Sequence, residues 1–398
     1  MKLIPRLKPC FDHRELLAAL TPTSGNIEKF EKAFAGKFGC AHGVMFPHGR
    51  SGLYVLFKIW GLKDAEVVVP AYTCVVVPHA VVLSGNAPVF VDCAKGSFNM
   101  DLDGIRKVIN HKTRVVIPTH LFGYPMDVKA IEVIVQEAEE KYGHKIFVVQ
   151  DCAHSFGAKW NGELVTKYGD AALFGLNISK TISSIFGGMI TINNKEIADE
   201  LRSFRDGNFK RRGFEKTIRR FLYLLSTYAT FNPYVYYWVN TLERHGLIDH
   251  FVKYYDESEI KFPSDWDEMP AEIEARIGLA NLEKYEEIIR RRIDNARRYF
   301  SGLKDSTGTK LPSNAERATF SHFVVLVENK DRLLRECLKR GIQLGWLIEY
   351  NIPEMKAYGA HNPQKFPVAA SYARSAINLP VWGDVRIRKQ LITKLFKS

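Results

Sequence analysis

Short apolar runs alternate with amphipathic stretches through the first half of the chain. Runs at Gly43–Phe46, Glu66–Pro70, Pro88–Val91, Arg114–Pro118, Ile146–Gln150, Ala171–Leu176 and Met189–Ile192 predict strands. Helical periods lie between several of them, as at Val128–Tyr142. Strand, helix, strand repetition predicts an α/β fold with a large, doubly wound, mostly parallel sheet. Ligands of such sheets sit at the carboxyl ends of the strands.

The pattern then changes. Glu272–Phe300 reads as one long helix leading into a smaller C-terminal α+β domain. That domain is predicted to hold a strand at His322–Val327, a helix at Lys330–Arg340 and a last helix at Val385–Phe396. The expected division is a large domain over 1–255 and a linking helix plus small domain over 256–398. The large domain carries an insertion at about 202–255. Its first part is basic, with Arg202, Arg205, Lys210, Arg211, Arg212, Lys216, Arg219 and Arg220. Residues 221–240, FLYLLSTYATFNPYVYYWVN, then hold eight aromatics and no charge. Asn232-Pro233 interrupts this stretch, which argues against a membrane span. The expectation is a helical hairpin packed on the body or at a dimer interface; an interfacial membrane patch is the alternative.

Composition changes this picture little. Hydrophobic residues make up 46% and charged residues 25%, as in ordinary globular protein. The N-terminal residues lack the apolar run and cleavage site of a signal peptide. The six cysteines form no CxxC pair, so neither a metal site nor a disulfide framework is expected, and a reducing cytoplasm fits best. The net charge of +12 admits nucleic acid, a phosphate-bearing substrate or an anionic surface. No zinc-finger spacing or other nucleic-acid motif accompanies it, so nucleic acid is not the expected partner.

Three segments carry candidate chemistry. Asp151 in VVQDCAHSFGA follows a buried-strand pattern, where a carboxylate needs a partner. His154 lies three residues on. Asp151 could equally cap the next turn. Lys180 in GLNISKTISSIFGGM follows another apolar run and precedes Gly187-Gly188. A lysine with a depressed pKa can act as base or nucleophile, although a single lysine is not distinctive. Gly49, Arg50 and Ser51 in HGRSGLYVLF open a helical pattern. Free N–H groups at a helix start, a hydroxyl and a guanidinium suit a phosphate, though a plain turn and cap would look the same.

In order and wording, these segments resemble the DegT/StrS-type sugar aminotransferases, pyridoxal 5'-phosphate (PLP) enzymes of fold type I. HGRSGL is similar to that family's phosphate-binding turn, VVQDCAHSFGA to its acid segment and SKTISSIFGGM to its lysine segment. VVVPAYTCVVV, NAPVFVDC, VVIPTHLFGYPMDV, MPAEIEARIGLANLEKYEEIIRRR and INLPVW supply further landmarks over about residues 25–385. The resemblance implies that Lys180 is the imine lysine and general base and that Asp151 pairs with the pyridine nitrogen. It puts His154 near the ring hydroxyl and Gly49, Arg50 and Ser51 at the phosphate. Cys74 stands where the family often has an aromatic stacked on the ring. Gly175 replaces a usual Ser, and SDWDEMP lacks an Asn that reaches the partner subunit's phosphate. Lys180 also argues against the dehydratases of this fold, which have histidine there. The implied reaction moves an amino group from an amino acid, glutamate by resemblance, to a keto sugar carried on a nucleotide, in a homodimer. A cyclitol, lipid-linked or other ketone, or a regulatory protein with little turnover, are the alternatives.

Overall fold

The computed structural model describes residues 2–247, 258–304, 306, 308–313, 317–359, 365–383, 392 and 394–396. The unbroken apolar runs form the interior of one sheet. Its strands are β1 (His42–Phe46), β2 (Glu66–Pro70), β3 (Ala87–Val91), β4 (Thr113–Val116), β5 (Phe147–Asp151), β6 (Ala171–Gly175) and β7 (Gly188–Ile192). Their order is β1-β7-β6-β5-β4-β2-β3. β2, β3, β4, β5 and β6 run parallel, while β7 is antiparallel to both β6 and β1. Val67, Val68, Val69 and Val149 are fully buried, as expected of strands covered on both faces. The helix Val128–Tyr142 falls where the period predicts it, with Asp127 capping its start through Ala130 N–H.

A second sheet of three antiparallel strands, β8 (Thr309–Lys310), β9 (Phe323–Val327) and β10 (Ala376–Leu379), forms the smaller C-terminal lobe with the helix Lys330–Lys339. Residues near the N-terminus join this lobe: Ile4 bridges Ile342, and the Trp382 indole donates to Pro5. The helix predicted at Val385–Phe396 lies largely outside the described residues.

The single long helix is a misreading. Glu272–Glu283 and Tyr285–Leu303 are separate helices that meet at Lys284. The Lys284 ammonium is held by Glu15 at 2.5 Å, Asp12 at 3.1 Å and the Cys10 carbonyl at 2.8 Å. The hydrophobic period runs through the break, so it gives no sign of it.

The insertion forms a hairpin of the helices Phe214–Thr230 and Pro233–Arg244. Asn232 caps the second helix by accepting from Tyr234 N–H, and Pro233 takes the first helical position, where no N–H is needed. The face packed on the body carries charge as well as apolar side chains, with Leu224 set against Ile273 and Ile277. Arg220 is buried between Glu274 at 2.6 Å and Asp265 at 3.1 Å, and the Lys216 ammonium donates to the Met269 carbonyl.

Candidate active site

Five chain segments meet at the carboxyl edge of the large sheet. β5 ends at Asp151 and β6 at Gly175; the turn after β1 brings His48 to Arg50, and the loop after β2 brings Thr73 and Cys74. The loop between β6 and the antiparallel β7 carries Lys180. Gly49, Arg50, Cys74, Asp151, His154 and Lys180 all line the resulting cavity.

Two glycines permit this convergence. A Cβ on Gly188 would stand 2.2 Å from the Gly49 nitrogen, so β7 can pass the turn only without a side chain. A Cβ on Gly175 would stand 3.1 Å from Lys180 Cε, so the glycine leaves the lysine room. The loop after Lys180 is strained as well. Ile185 is fully buried at a φ of 72°, unusual for a β-branched residue, and its N–H is held by Ser183 Oγ.

Asp151 is buried. One carboxylate oxygen accepts from Ala153 N–H at 3.0 Å and the other from the Thr119 hydroxyl at 3.2 Å. Burial pushes its pKa up; the Ala153 N–H, the Lys180 charge and the Thr119 hydroxyl pull it down only in part. Lys180 is shifted the opposite way. Burial of its ammonium lowers its pKa against the raising influence of Cys74 and Asp151. A shielded acid and a shielded base thus share one cavity, each favouring neutrality.

His154 stacks on Phe122, with ring centroids 5.8 Å apart and planes 15° apart. Burial, then the Lys180 charge, holds its pKa well below the usual histidine range, and its Nδ1 has no hydrogen-bond partner among the described residues. A buried neutral imidazole with an unanswered nitrogen beside a cavity suits a ligand polar group. Arg50 is buried and lines the same wall as Gly49.

Ser51 requires a correction. Its side chain is fully buried, and its hydroxyl donates to the Trp266 carbonyl at 2.7 Å. The hydroxyl is turned toward the 265–268 segment and does not line the cavity. That segment, where the missing Asn would fall, serves this chain's own packing. Asp265 receives both the His48 ring at 2.8 Å and Arg220, joining the rim of the cavity to the hairpin.

Sequence reasoning missed Thr119, His48 and His322. Thr119 follows the VVIP run that ends β4, a position at the ligand-binding edge that could have marked it. His322, just before β9 of the small lobe, is buried with its ring 5.2 Å from that of His154. Its Nδ1 meets Ser321 Oγ at 3.1 Å, and its Nε2 has no hydrogen-bond partner among the described residues. Nothing in the local sequence distinguishes it.

The family model for the DegT/DnrJ/EryC1/StrS aminotransferases matches residues 14–227 and 229–392, nearly the whole chain. The chain belongs to that family. It is 31% identical over 214 residues to GDP-perosamine synthase of Escherichia coli O157:H7; the match spans 52% of this chain and 57% of that relative. It is 28% identical over 338 residues to dTDP-4-amino-4,6-dideoxy-D-glucose transaminase of Shigella dysenteriae, covering 83% of this chain and 78% of that one. The fold matches that of the sugar aminotransferase CalS13 of Micromonospora echinospora with a TM-score of 0.79, at 20% identity and 99% coverage of each chain. The family's cofactor is PLP, and solved relatives of the same fold are described in PLP and PMP forms. Asp151, His154, Lys180 and the Gly49–Arg50 turn offer a buried carboxyl group, an unanswered imidazole nitrogen, an amine and a helix start with a cation. These fit a pyridinium, a ring hydroxyl, an aldehyde and a phosphate.

Proposed function

We propose that the chain is a PLP-dependent aminotransferase that moves an amino group from an amino acid, glutamate first, to a nucleotide-linked keto sugar. The observation that carries this reading is that the buried Asp151 carboxylate, the Lys180 amine, His154 and the Gly49–Arg50 turn line one cavity. The matched relatives, by name, handle GDP- and dTDP-linked sugars.

When bound, PLP supplies an electron sink for the charge left when a Cα–H bond breaks. Asp151 holds the proton on the ring nitrogen, because a buried carboxylate gains most from a cationic partner. Ala153 N–H and the Thr119 hydroxyl fix the carboxylate's orientation. His154, held by its stacking on Phe122, would take the ring hydroxyl. Gly49 N–H and Arg50 take the phosphate. Lys180 Nζ, driven toward neutrality by burial, would take the proton from the donor's α carbon. Cys74, smaller than an aromatic, leaves more room at one wall of the cavity.

The reading includes a homodimer, supported by the family resemblance, and a reducing cytoplasmic setting. All six cysteines are free, and Cys40, Cys93, Cys152 and Cys337 are buried. Among the described residues no helix is long and apolar enough to cross a membrane. The test is a half-reaction with glutamate, followed by a panel of GDP-, dTDP- and UDP-linked keto sugars. Amino-sugar product from one nucleotide series is expected. Donor turnover with no acceptor in the panel would move the substrate to another ketone, and no donor turnover would remove the aminotransferase assignment.

A further inference from the structure

The hairpin of Phe214–Thr230 and Pro233–Arg244 buries cations beside an apolar contact at Leu224 and leaves a further row of apolar side chains exposed. On its first helix Lys216, Arg220, Leu224 and Thr227 are buried. Phe214, Ile218, Leu222 and Leu225 follow one another at helical spacing on the other side, Phe214 78% and Leu222 58% exposed. On the second helix Tyr236 and Asn240 face inward. Tyr234, Val235, Trp238 and Leu242 face outward, with Trp238 65% exposed, and Leu247 beyond them is 70% exposed. The solvent side of a surface helix in a globular protein is ordinarily polar. Apolar exposure of this extent marks a contact surface.

The charges around this face indicate what covers it. Lys210, Arg211 and Arg212 stand just before the first helix, Arg219 follows Ile218 within it, and Arg244 ends the second helix. The acids beside them are few: Asp267 takes Lys210, and Glu268 alone takes Arg212, Lys216 and Arg219. Glu215 and Glu243 are the acids within the hairpin itself. A second copy seated by two-fold symmetry would set this cationic border against itself. An anionic lipid surface complements it, with the aromatic and leucine side chains entering the headgroup boundary and the cations lying among the phosphates. Tyr234 and Trp238 have the apolar body and polar edge that suit that boundary. The polar side of the first helix is clamped to the body through Arg220, Glu274 and Asp265, so the apolar side is presented without unfolding.

We propose that the outward face of this hairpin seats the protein on an anionic phospholipid surface. The test is flotation of the full, PLP-loaded protein with vesicles of phosphatidylcholine alone or mixed with phosphatidylglycerol. Flotation is expected only with the mixed vesicles and should fall several-fold as salt shortens the Debye length from about 30 Å to about 8 Å. The Leu222→Asp, Trp238→Asp double variant should partition at least about tenfold more weakly, with cofactor absorbance and solution mass unchanged. Arg211→Ala with Arg212→Ala should weaken partition about tenfold at low salt, and tests the idea even if the double variant folds poorly. Absence of flotation with phosphatidylglycerol, or flotation unmoved by both sets of substitutions, overturns the proposal. A protein that does not float but whose solution mass halves in the Leu222, Trp238 variant would make the face a contact between copies instead.

Discussion

Around Lys180, polar and charged side chains are buried and face a shared space. On the hairpin, charges are also buried, but they face one another and the apolar side chains face out. In the hairpin Arg220 meets Glu274 and Asp265 at hydrogen-bonding distance, so charge is answered by charge within the chain. In the cavity, Asp151 gains only neutral hydrogen-bond donors and a lysine that burial drives toward neutrality. Burial of charge therefore marks a structural seam in one region and a ligand site in the other. The difference lies in whether the partners are already present.

Removing the amine from the cavity should have the largest effect. Lys180→Ala is expected to lower turnover by at least about 10³-fold while retaining folding, read by kinetics and thermal melting. Unchanged turnover would remove Lys180 from the chemistry. In the hairpin the corresponding change should register as stability. Arg220→Ala leaves Glu274 and Asp265 buried without their shared cation and should cost about 3–5 kcal/mol in chemical denaturation. A cost below about 1 kcal/mol would mean that the seam is not a structural clamp.

pH separates the regions further. His120 is held down to about 4 by burial against a raising bond from Gln150, and His79 to about 4 by burial and the Arg50 charge. His154 and His322 lie well below the usual range for the same leading reason, burial. A histidine with a lowered folded pKa is protonated more readily in the unfolded chain. For His120 and His79 that contribution is full above about 6.5 and is lost as pH falls toward about 4, on the order of 1–3 kcal/mol each. The melting temperature should drop steeply across that window, and His120→Gln should flatten the drop. A melting temperature level from pH 6.5 to pH 4 would contradict the burial of these rings as neutral groups. The smallest effect belongs to the hairpin's outer face, where Leu222→Ser should change stability by no more than about 0.5 kcal/mol.

Much of this was legible in order along the chain. Seven apolar runs gave seven strands, and Asp151 at a strand end and Lys180 in the loop after the next strand fell on one edge. Ser51 did not behave as its place at a helix start implied, because its hydroxyl partner is the Trp266 carbonyl, 215 residues away. The orientation of the hairpin was hidden for a similar reason. Its period marks two faces, but the inward face is chosen by Asp265, Glu268 and Glu274, which lie 45 to 56 residues from their cationic partners. His322 was invisible because its role depends on the small lobe packing against His154. Periodicity reports local geometry; the pairing of distant buried charges is a property of the folded chain.

The central claim rests on Lys180 holding PLP beside Asp151. The most direct measurement is the visible absorbance of the purified protein loaded with PLP, followed during glutamate addition and compared with Lys180→Ala. The account predicts a band in the natural protein that glutamate discharges and a keto acid restores, with no such band in the variant. Absence of the band in the natural protein, or an identical band in Lys180→Ala, would contradict it.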